Sequence, residues 1–412
     1  MKFQWLTLED FDVRDKAVLL RLDINSPLDP KNNQLLDDGR IRATKPTLDA
    51  LAEARVAVLS HQSRPGEEDF TSLEPHAMAL QRTCSQRVTF IDDVMGPAAR
   101  QAVKDTGRGE VVVLDNVRFC SEEMLEGTGE KLAKTNLVTR LAPLFDLYVN
   151  DAFATAHRAQ ASLVGFPQVL PAMAGKLMEK ELFTIERLKV NPAHPSTYVL
   201  GGAKVEDKVP VIENILATGH ADHVLVGGKV ANVFLKAAHV RLGKLDEEDL
   251  GGLTGEVLKA KRILSKYRKH LVLPSDFGTV KDGKRIDTPV QTLFRAGRVL
   301  DIGPKTIKRF TEIINESKTV VAAGPMGVFE QQGFESGTRA VLESMANGNA
   351  FTVVGGGHMA GYADMLGIAD KFMHVSTAGG AMLSILAGEE LPAISALVAA
   401  AKRHKGIRSR EF

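Results

Sequence analysis

Arginine, histidine and carboxylate side chains follow several short apolar runs in the first half of the chain. Arginines that lie close together repel one another unless an anion sits among them, and guanidinium groups suit bidentate binding of phosphate and carboxylate. The sequence therefore predicts an anion-binding site, whose candidate residues are Arg21, Asp23, Asn25, Arg40, His61, Arg64, Arg118 and Arg158. The alternative is that each arginine pairs with a neighbouring aspartate, which would explain Arg21 beside Asp23 but not the whole set.

Glycine pairs end the apolar runs of the second half, at Gly201-Gly202, Gly227-Gly228, Gly355-Gly356-Gly357 and Gly379-Gly380. Glycine lets backbone N–H groups approach a ligand, and a helix N-terminus adds free donors and the positive end of a dipole. One such junction alone would indicate no more than a tight connection, but four at one sheet edge favour a polyphosphate ligand. Lys204 and Lys208 lie four residues apart and project from one helix face towards that edge, unless they are solvated surface lysines.

Two anion sites in different halves favour phosphoryl transfer, whose catalysis depends mainly on positioning and on neutralising negative charge. A dinucleotide-dependent oxidoreductase is the rival class, since the segment from Gly355 to Ala360 fits GxGxxA. That motif needs an acidic residue about 20 positions on for the ribose, and Val375-Ser376-Thr377 stand there. A non-enzymatic protein that clamps an anion is the third reading. The lysines beside the glycine turns and the two different sites count against it.

Short apolar runs of strand length alternate with helical patterns throughout the chain, which is typical of βαβ units and a parallel sheet. The predicted strands are 17–22, 56–60, 88–91, 111–114 and 147–149, then 198–200, 223–226, 271–273, 319–322, 351–354 and 372–375. Between the two sets, Ala172 to Lys189 has helical spacing, and Asn191 to Pro195 then interrupts it. We expect a connecting helix followed by a domain boundary.

The composition excludes several classes of protein. The 412 residues are 44% hydrophobic and 25% charged, as in ordinary globular proteins, and the formal net charge of +1 gives no field that would attract nucleic acid. Cys84 and Cys120 are too few for a disulfide framework and lack the spacing of a zinc site. With no signal-like start and no long apolar run, we expect a cytoplasmic protein without a membrane span.

Several segments resemble the phosphoglycerate kinase family, in order and almost from end to end. Val18 to Leu28 is similar to its RVDFNVPL-type motif, and Tyr148 to Arg158 resembles its VNDAFGTAHR segment. The second half adds matches at Gly201–Lys208, Asp301–Thr306, Gly324–Glu330 and Ser376–Ala381. The resemblance implies reversible transfer of the acyl phosphate of 1,3-bisphosphoglycerate to ADP, giving 3-phosphoglycerate and ATP, with Mg²⁺ bound through the nucleotide phosphates; no residue is assigned as a metal ligand.

The resemblance also implies a fold of two Rossmann-like parallel-sheet α/β domains, joined by a connecting helix and closing over a hinge-bending cleft. The implied parts are a triose-phosphate-binding domain at 1–172, the connecting helix at 173–190, a nucleotide-binding domain at 191–391 and a segment at 392–412 that packs back on the first domain. A monomer is expected, with a homodimer as the alternative.

Roles carry over to matching positions. The eight candidates of the first half would bind the triose substrate. The nucleotide would be bound by Lys204, Lys208, Gly227, Gly228, Glu330, Gly356, Gly357, His358 and Met359, with Glu330 on the ribose. The groups expected to neutralise the moving phosphoryl group are Arg40, Lys204, Lys208, Gly379 and Gly380.

Three positions depart from the family pattern, all on the nucleotide side. His358 stands where the family commonly has aspartate, Ala323 where it has asparagine, and Lys229 where it has a third glycine. The triose site therefore carries over more directly than the nucleotide and metal contacts.

Overall fold

A computed structural model of the chain describes residues 4–190 and 192–404. The chain divides into two compact units, one formed by Met1–Phe183 with Glu390–Phe412 and the other by Thr184–Glu389. A six-stranded parallel sheet lies at the centre of each unit. The predicted fold class, two Rossmann-like α/β domains, is therefore confirmed.

The first unit contains strands that follow the apolar runs of the sequence. They are β1 (Ala17–Arg21), β2 (Leu28–Asp29), β3 (Gln34–Leu35), β4 (Arg55–Leu59), β5 (Arg87–Ile91), β6 (Glu110–Leu114), β7 (Leu147–Asn150) and β8 (Ala172–Ala174). The sheet order is β5-β6-β4-β1-β7-β8, and β2 pairs with β3 in a separate hairpin. All five residues of β1 are buried, and β1 pairs in parallel with β4 and β7. The carboxyl ends of the sheet strands therefore share one edge.

Short helices cover this sheet. They are α1 (Gly39–Ala43), α2 (Lys45–Ala50), α3 (Glu74–Thr83), α4 (Pro97–Asp105), α5 (Gly129–Leu132) and α6 (Asn136–Leu141). The core beneath includes Val18 and Leu20 of β1 and Val56 and Val58 of β4, each almost completely buried. Removing these branched side chains from water provides the main driving force for the sheet.

The connecting helix α7 (Lys176–Val190) begins later than the sequence predicted. Met173 and Ala174, expected to be helical, lie in β8, whose three buried residues pair with β7. Alanine and methionine favour helix locally, but pairing and burial at the sheet edge override that weak preference. The boundary between the two units falls inside α7, after Phe183.

The second unit holds the remaining strands: β9 (Ser196–Leu200), β10 (His223–Val226), β11 (Leu271–Val272), β12 (Asp276–Lys281), β13 (Lys284–Pro289), β14 (Val299–Ile302), β15 (Thr319–Ala323), β16 (Phe351–Gly355) and β17 (His374–Ser376). Its parallel sheet has the order β11-β10-β9-β15-β16-β17. The strands β13-β12-β14 form a separate antiparallel sheet, which the sequence reading did not anticipate.

Most helices of the second unit alternate with its strands. They are α8 (Val205–Ala217), α9 (Gly228–Ala237), α10 (Lys244–Asp249), α11 (Thr254–Tyr267), α12 (Pro304–Glu316), α13 (Ser336–Asn347), α14 (Gly357–Met365) and α15 (Gly379–Leu386). The last helix, α16 (Pro392–Arg403), belongs to the first unit, where the Ala393 nitrogen donates to the Ala156 carbonyl at 3.1 Å. Within residues 4–190 and 192–404, no helix combines the length and apolarity needed to cross a membrane.

Candidate functional site

Arg21, at the carboxyl end of β1, is the most deeply buried of the predicted anion-binding arginines, with 1% of its surface exposed. Its Nε donates to Ser162 Oγ at 2.8 Å, and its Nη1 donates to the Leu22 carbonyl. Ser162 Oγ in turn donates to Glu123 at 2.6 Å, and burial raises the pKa of that carboxyl. Arg21 therefore belongs to a buried hydrogen-bond network with Ser162 and Glu123. Neither Ser162 nor Glu123 was identified from the sequence.

His61 follows β4 and lies where the predicted arginines converge. Burial lowers the pKa of this imidazole well below its usual value, and four nearby guanidinium charges lower it further; they belong to Arg21, Arg118, Arg158 and Arg40. Its Nδ1 lies 3.3 Å from Arg21 Nη2. A neutral imidazole among several cations is the arrangement expected where an anion is to be bound.

Arg118 has side-chain donors that the described residues leave unsatisfied. One of its nitrogens, Nη1, donates to the Ser63 carbonyl, whereas Nε and Nη2 are buried with no protein partner in the described ranges. Arg158 Nε is likewise buried with no hydrogen-bond partner among the described residues. Burial, and then Arg158 and Arg21, lower the Arg118 pKa to about 10, so the group remains cationic at neutral pH. Unpaired buried donors cost about 1–3 kcal/mol each, which an anionic ligand would offset.

The other candidates of the first half lie around this cluster. Arg40 pairs with nearly buried Asp23 at 3.0 Å but keeps 41% of its side chain exposed. Asn25 Oδ1 accepts from the Ser63 nitrogen at 3.1 Å, which helps to hold Ser63 at φ +54°. Arg64 lies outside the buried group, since its side chain is 69% exposed and pairs with Glu67 at 2.8 Å.

The four glycine junctions of the second unit all follow strands of one parallel sheet, as predicted, but they differ in use. After β9 and β10 they pack against the Gly324-Pro325-Met326 segment that follows β15. The Gly202 nitrogen donates to the Pro325 carbonyl at 2.8 Å, and the Gly228 nitrogen donates to the Met326 carbonyl at 2.9 Å. The Gly227 nitrogen donates to the Leu200 carbonyl at 3.2 Å. These N–H groups are therefore committed to the protein and are not available to phosphate.

The junctions after β16 and β17 are open. Gly356 has φ +98°, and a Cβ added at Gly356, Gly357 or Gly380 would meet no atom within 4 Å. The first backbone N–H groups of α14 and α15 are the usual unsatisfied donors of helix N-termini. This pair of turns can therefore bind anionic oxygens. Met359, in the first turn of α14, has a fully buried side chain and can contribute only through its backbone.

Lys204 and Lys208 lie at the start of α8, next to the Gly201-Gly202 junction. Lys204 is exposed at the N-cap position, whereas Lys208 is buried with 8% of its surface exposed. Burial, more than the Lys204 charge, lowers the pKa of Lys208. A desolvated ammonium interacts more strongly with an anion than an exposed one does.

An aromatic contact joins the chain segments that carry two predicted nucleotide residues, Glu330 and His358. Phe329, next to exposed Glu330, lies 6.4 Å from the His358 ring in an edge-on arrangement and 4.5 Å from the Tyr362 ring. The α14 turn and the Glu330 segment therefore pack against each other. Across the described residues, no group of three or more His, Cys, Asp and Glu side chains is placed to hold a metal ion.

Comparisons with known proteins agree on one family. The model of the family described as phosphoglycerate kinase matches residues 8–389. The chain is 44% identical over 405 residues to the phosphoglycerate kinase of Methanothermus fervidus, covering 97% of this chain and 98% of that protein. It is also 44% identical to the enzyme of Methanococcus maripaludis, covering 97% and 100%. The crystal structure of phosphoglycerate kinase from Pyrococcus horikoshii superposes with a TM-score of 0.89 at 41% identity, covering 97% and 100%.

Proposed function

The chain belongs to the phosphoglycerate kinase family, and on that premise we propose which substrate binds at each of its two anion-binding sheet edges. The enzyme is a phosphotransferase with a carboxyl group as acceptor. It transfers a phosphoryl group reversibly between 1,3-bisphosphoglycerate and ADP, which gives 3-phosphoglycerate and ATP. We assign the triose substrate to the first unit and the nucleotide to the second.

The unpartnered Nε and Nη2 of Arg118 carry the triose assignment, supported by Arg158 Nε and the neutral ring of His61. Such donors would suit a ligand that brings its own negative charge, such as the phosphate and carboxylate of 3-phosphoglycerate. Asp23 orients Arg40, Asn25 holds the Ser63 turn, and Arg64 adds an outer cation. Arg21 contributes by placing His61 and not by direct binding.

The nucleotide phosphates are assigned to the open N-termini of α14 and α15, with Lys204 and Lys208 beside them. Gly356, Gly357, His358 and Met359 would offer backbone N–H groups, and Glu330 would bind a hydroxyl of the ribose. Gly227 and Gly228 shape the site by letting backbone segments approach closely. The donor set is cationic and N–H-rich, so it fits phosphate oxygens.

During transfer, Arg40, Lys204, Lys208 and the Gly379-Gly380 turn would neutralise the charge of the moving phosphoryl group. The acceptor oxygen is already anionic in both directions. The step therefore needs no general base and no covalent enzyme intermediate. In solution we expect a cytoplasmic monomer.

Mg²⁺ is expected to arrive with the nucleotide. It is a hard cation that prefers oxygen ligands and keeps several waters, so the phosphates suit it better than the lysines and amides of these turns. When bound, the ion would neutralise phosphate charge and orient the phosphates. No direct protein ligand to the metal is assigned.

Calorimetric titration of the enzyme with each substrate alone tests this assignment of the two substrates to the two units. Arg118→Ala should weaken 3-phosphoglycerate binding roughly tenfold to a hundredfold, the usual loss for a charge-assisted hydrogen bond. Arg64→Ala should weaken it less, because that side chain is exposed and paired. Neither change should alter ADP affinity. Arg108→Ala, which removes an exposed partner of Glu53, is the matched control. Equal loss of both affinities would mean one composite site and would contradict the assignment.

A further inference from the structure

The antiparallel sheet β13-β12-β14 contributes no predicted ligand contact, yet one of its side chains contacts the segment that carries Glu330. Arg285 of β13 donates from Nη1 to Asp301 Oδ2 at 2.9 Å and to the Gly333 carbonyl at 2.8 Å. Its Nη2 donates to the Ile302 carbonyl at 3.0 Å, and its Nε donates to Asp287 at 3.0 Å. One guanidinium group thus joins β13, β14 and the segment after β15.

Asp301, the main partner of Arg285, is buried with 1% of its surface exposed. Its Oδ2 also accepts from the Gly337 nitrogen in the first turn of α13 at 3.0 Å. A Cβ added at Gly337 would lie 2.3 Å from Asp301 Oδ1, and one at Gly327 would lie 2.8 Å from the same atom. Asp301 is therefore wedged between two glycines that require close backbone approach.

Those glycines bound the segment that carries Glu330. At its start, the Val328 nitrogen donates to the Leu300 carbonyl of β14 at 2.7 Å. At its end, buried Phe334 lies beneath the Arg285 guanidinium, 5.7 Å from ring centroid to Cζ. The start of the segment is thus held by the Leu300 carbonyl, next to Asp301 in the chain, and its end is held by Arg285 itself, while Glu330 between them stays exposed.

We propose that Arg285 and Asp301 are positioning residues that set the place of Glu330 for the nucleotide. The inference rests on the proposed function in that Glu330 binds the ribose. A purely structural role would make substitutions lower stability and affect all ligands alike. A positioning role instead makes the loss specific to the ribose contact.

Replacement of Arg285 by a residue without charge leaves the buried Asp301 carboxylate unpaired, and that variant could fail to fold. Arg285→Lys avoids the difficulty. Lysine keeps the positive charge, but its single ammonium group cannot satisfy Asp301, Gly333 and Ile302 in the planar geometry of a guanidinium. Arg298→Met is the matched control, because Arg298 adjoins β14 and its side chain forms an exposed ion pair with Asp249.

The experiment compares steady-state KM values for ADP, 2′-deoxyADP and 3′-deoxyADP in the wild type, Arg285→Lys, Glu330→Ala and Arg298→Met. Glu330→Ala identifies the hydroxyl, since its penalty should vanish on the analogue that lacks the contacted group. Arg285→Lys should raise KM for ADP roughly three- to tenfold, as expected for a residue that acts through another. The same increase should disappear on that analogue. KM for the triose substrate should stay unchanged, and Arg298→Met should match the wild type.

Different failures separate the two ideas. If Glu330→Ala shows a ribose-specific penalty but Arg285→Lys leaves KM for ADP unchanged, or penalises ADP and both analogues equally, the positioning role is wrong and the ribose assignment survives. If Glu330→Ala itself penalises all three nucleotides equally, the ribose assignment of Glu330 fails, and the inference fails with it.

Discussion

Gly379, in the first turn of α15, lies directly against the backbone of Gly356, so that a Cβ at Gly379 would stand 2.3 Å from the Gly356 nitrogen. The two open glycine turns of the second unit are therefore in contact with each other. Neighbouring Gly380 has no atom within 4 Å of its added Cβ. Close contact with Gly356 therefore requires a glycine at position 379, whereas the space around Gly380 would accept a methyl group.

Gly379→Ala should therefore force the two turns apart. We expect a loss of stability of about 1–3 kcal/mol, typical of overpacking, together with weaker ADP binding. Gly380→Ala is the matched control for folding, and its melting temperature should equal that of the wild type. Thermal melting and calorimetry measure both effects. Equal stability of the two variants would show that the close approach is relieved at little cost.

Arg40→Ala and Lys208→Ala test the proposed neutralisation of the transferred group. Each should lower kcat roughly a hundredfold or more, the order expected for loss of one preorganised charge at a developing anionic centre. Arg42→Ala is the control, since Arg42 lies on the same helix as Arg40 but makes an exposed ion pair with Asp38. A coupled assay on proteins shown to be folded by circular dichroism gives the answer. Near wild-type turnover in either variant would remove that residue from the mechanism.

The parallel strands could be predicted from the sequence because each is a short apolar run, and the side chains of such a run must be buried in the folded chain. The positions of Arg21, His61 and Arg118 at one sheet edge then followed from parallel pairing alone. Each predicted strand overlaps an observed one, although several ends differ by one or two residues.

What the sequence could not predict depends on distant contacts. The segment Lys284–Pro289 is mostly exposed and becomes a strand only by pairing with Asp276–Lys281. Ser162 meets Glu123, 39 positions away, through the fold. Likewise, no local sequence pattern indicates that the Gly228 nitrogen donates to the Met326 carbonyl.

Asp151 provides a test of stability against pH. Its carboxylate accepts from Thr47 Oγ1 at 2.5 Å and from the Met178 nitrogen in the first turn of α7 at 3.0 Å. Burial nevertheless raises the pKa of Asp151 from 3.8 to about 6. Between those values the unfolded chain has already lost the proton that the folded chain keeps, so stability falls as pH rises.

The loss in free energy of unfolding is about 3 kcal/mol; it is complete above pH 6 and absent below pH 4. Asp151→Asn removes the titration and keeps an acceptor for the Met178 nitrogen. We therefore expect the melting temperature of Asp151→Asn, relative to the wild type, to rise from pH 4 to pH 6 and then to level off. Thermal melts in buffers of matched ionic strength measure this difference. A constant difference across that range would contradict the raised pKa.

The last prediction concerns His358, a position at which the sequence resemblance led us to expect an aspartate. Its exposed ring lies edge-on to Phe329, at the second residue of α14. An aspartate here could approach Mg²⁺, whereas imidazole suits softer transition metals. We therefore expect His358 to donate at most a hydrogen bond to a phosphate or to a metal-bound water, or else only to pack against Phe329.

Titration of Mg²⁺ against activity at fixed nucleotide, in the wild type, His358→Ala and His358→Asp, separates these roles. If the ring donates a hydrogen bond, His358→Ala should weaken Mg·ADP binding roughly threefold to tenfold, the usual net loss for one hydrogen bond. His358→Asp should shift the Mg²⁺ midpoint to lower concentration, because a carboxylate adds an oxygen ligand near the ion. Identical midpoints in all three proteins would leave His358 with the packing role alone. Loss of all metal dependence in His358→Ala would instead make the imidazole a direct ligand, and Mg²⁺ would then be held by the protein as well as by the nucleotide.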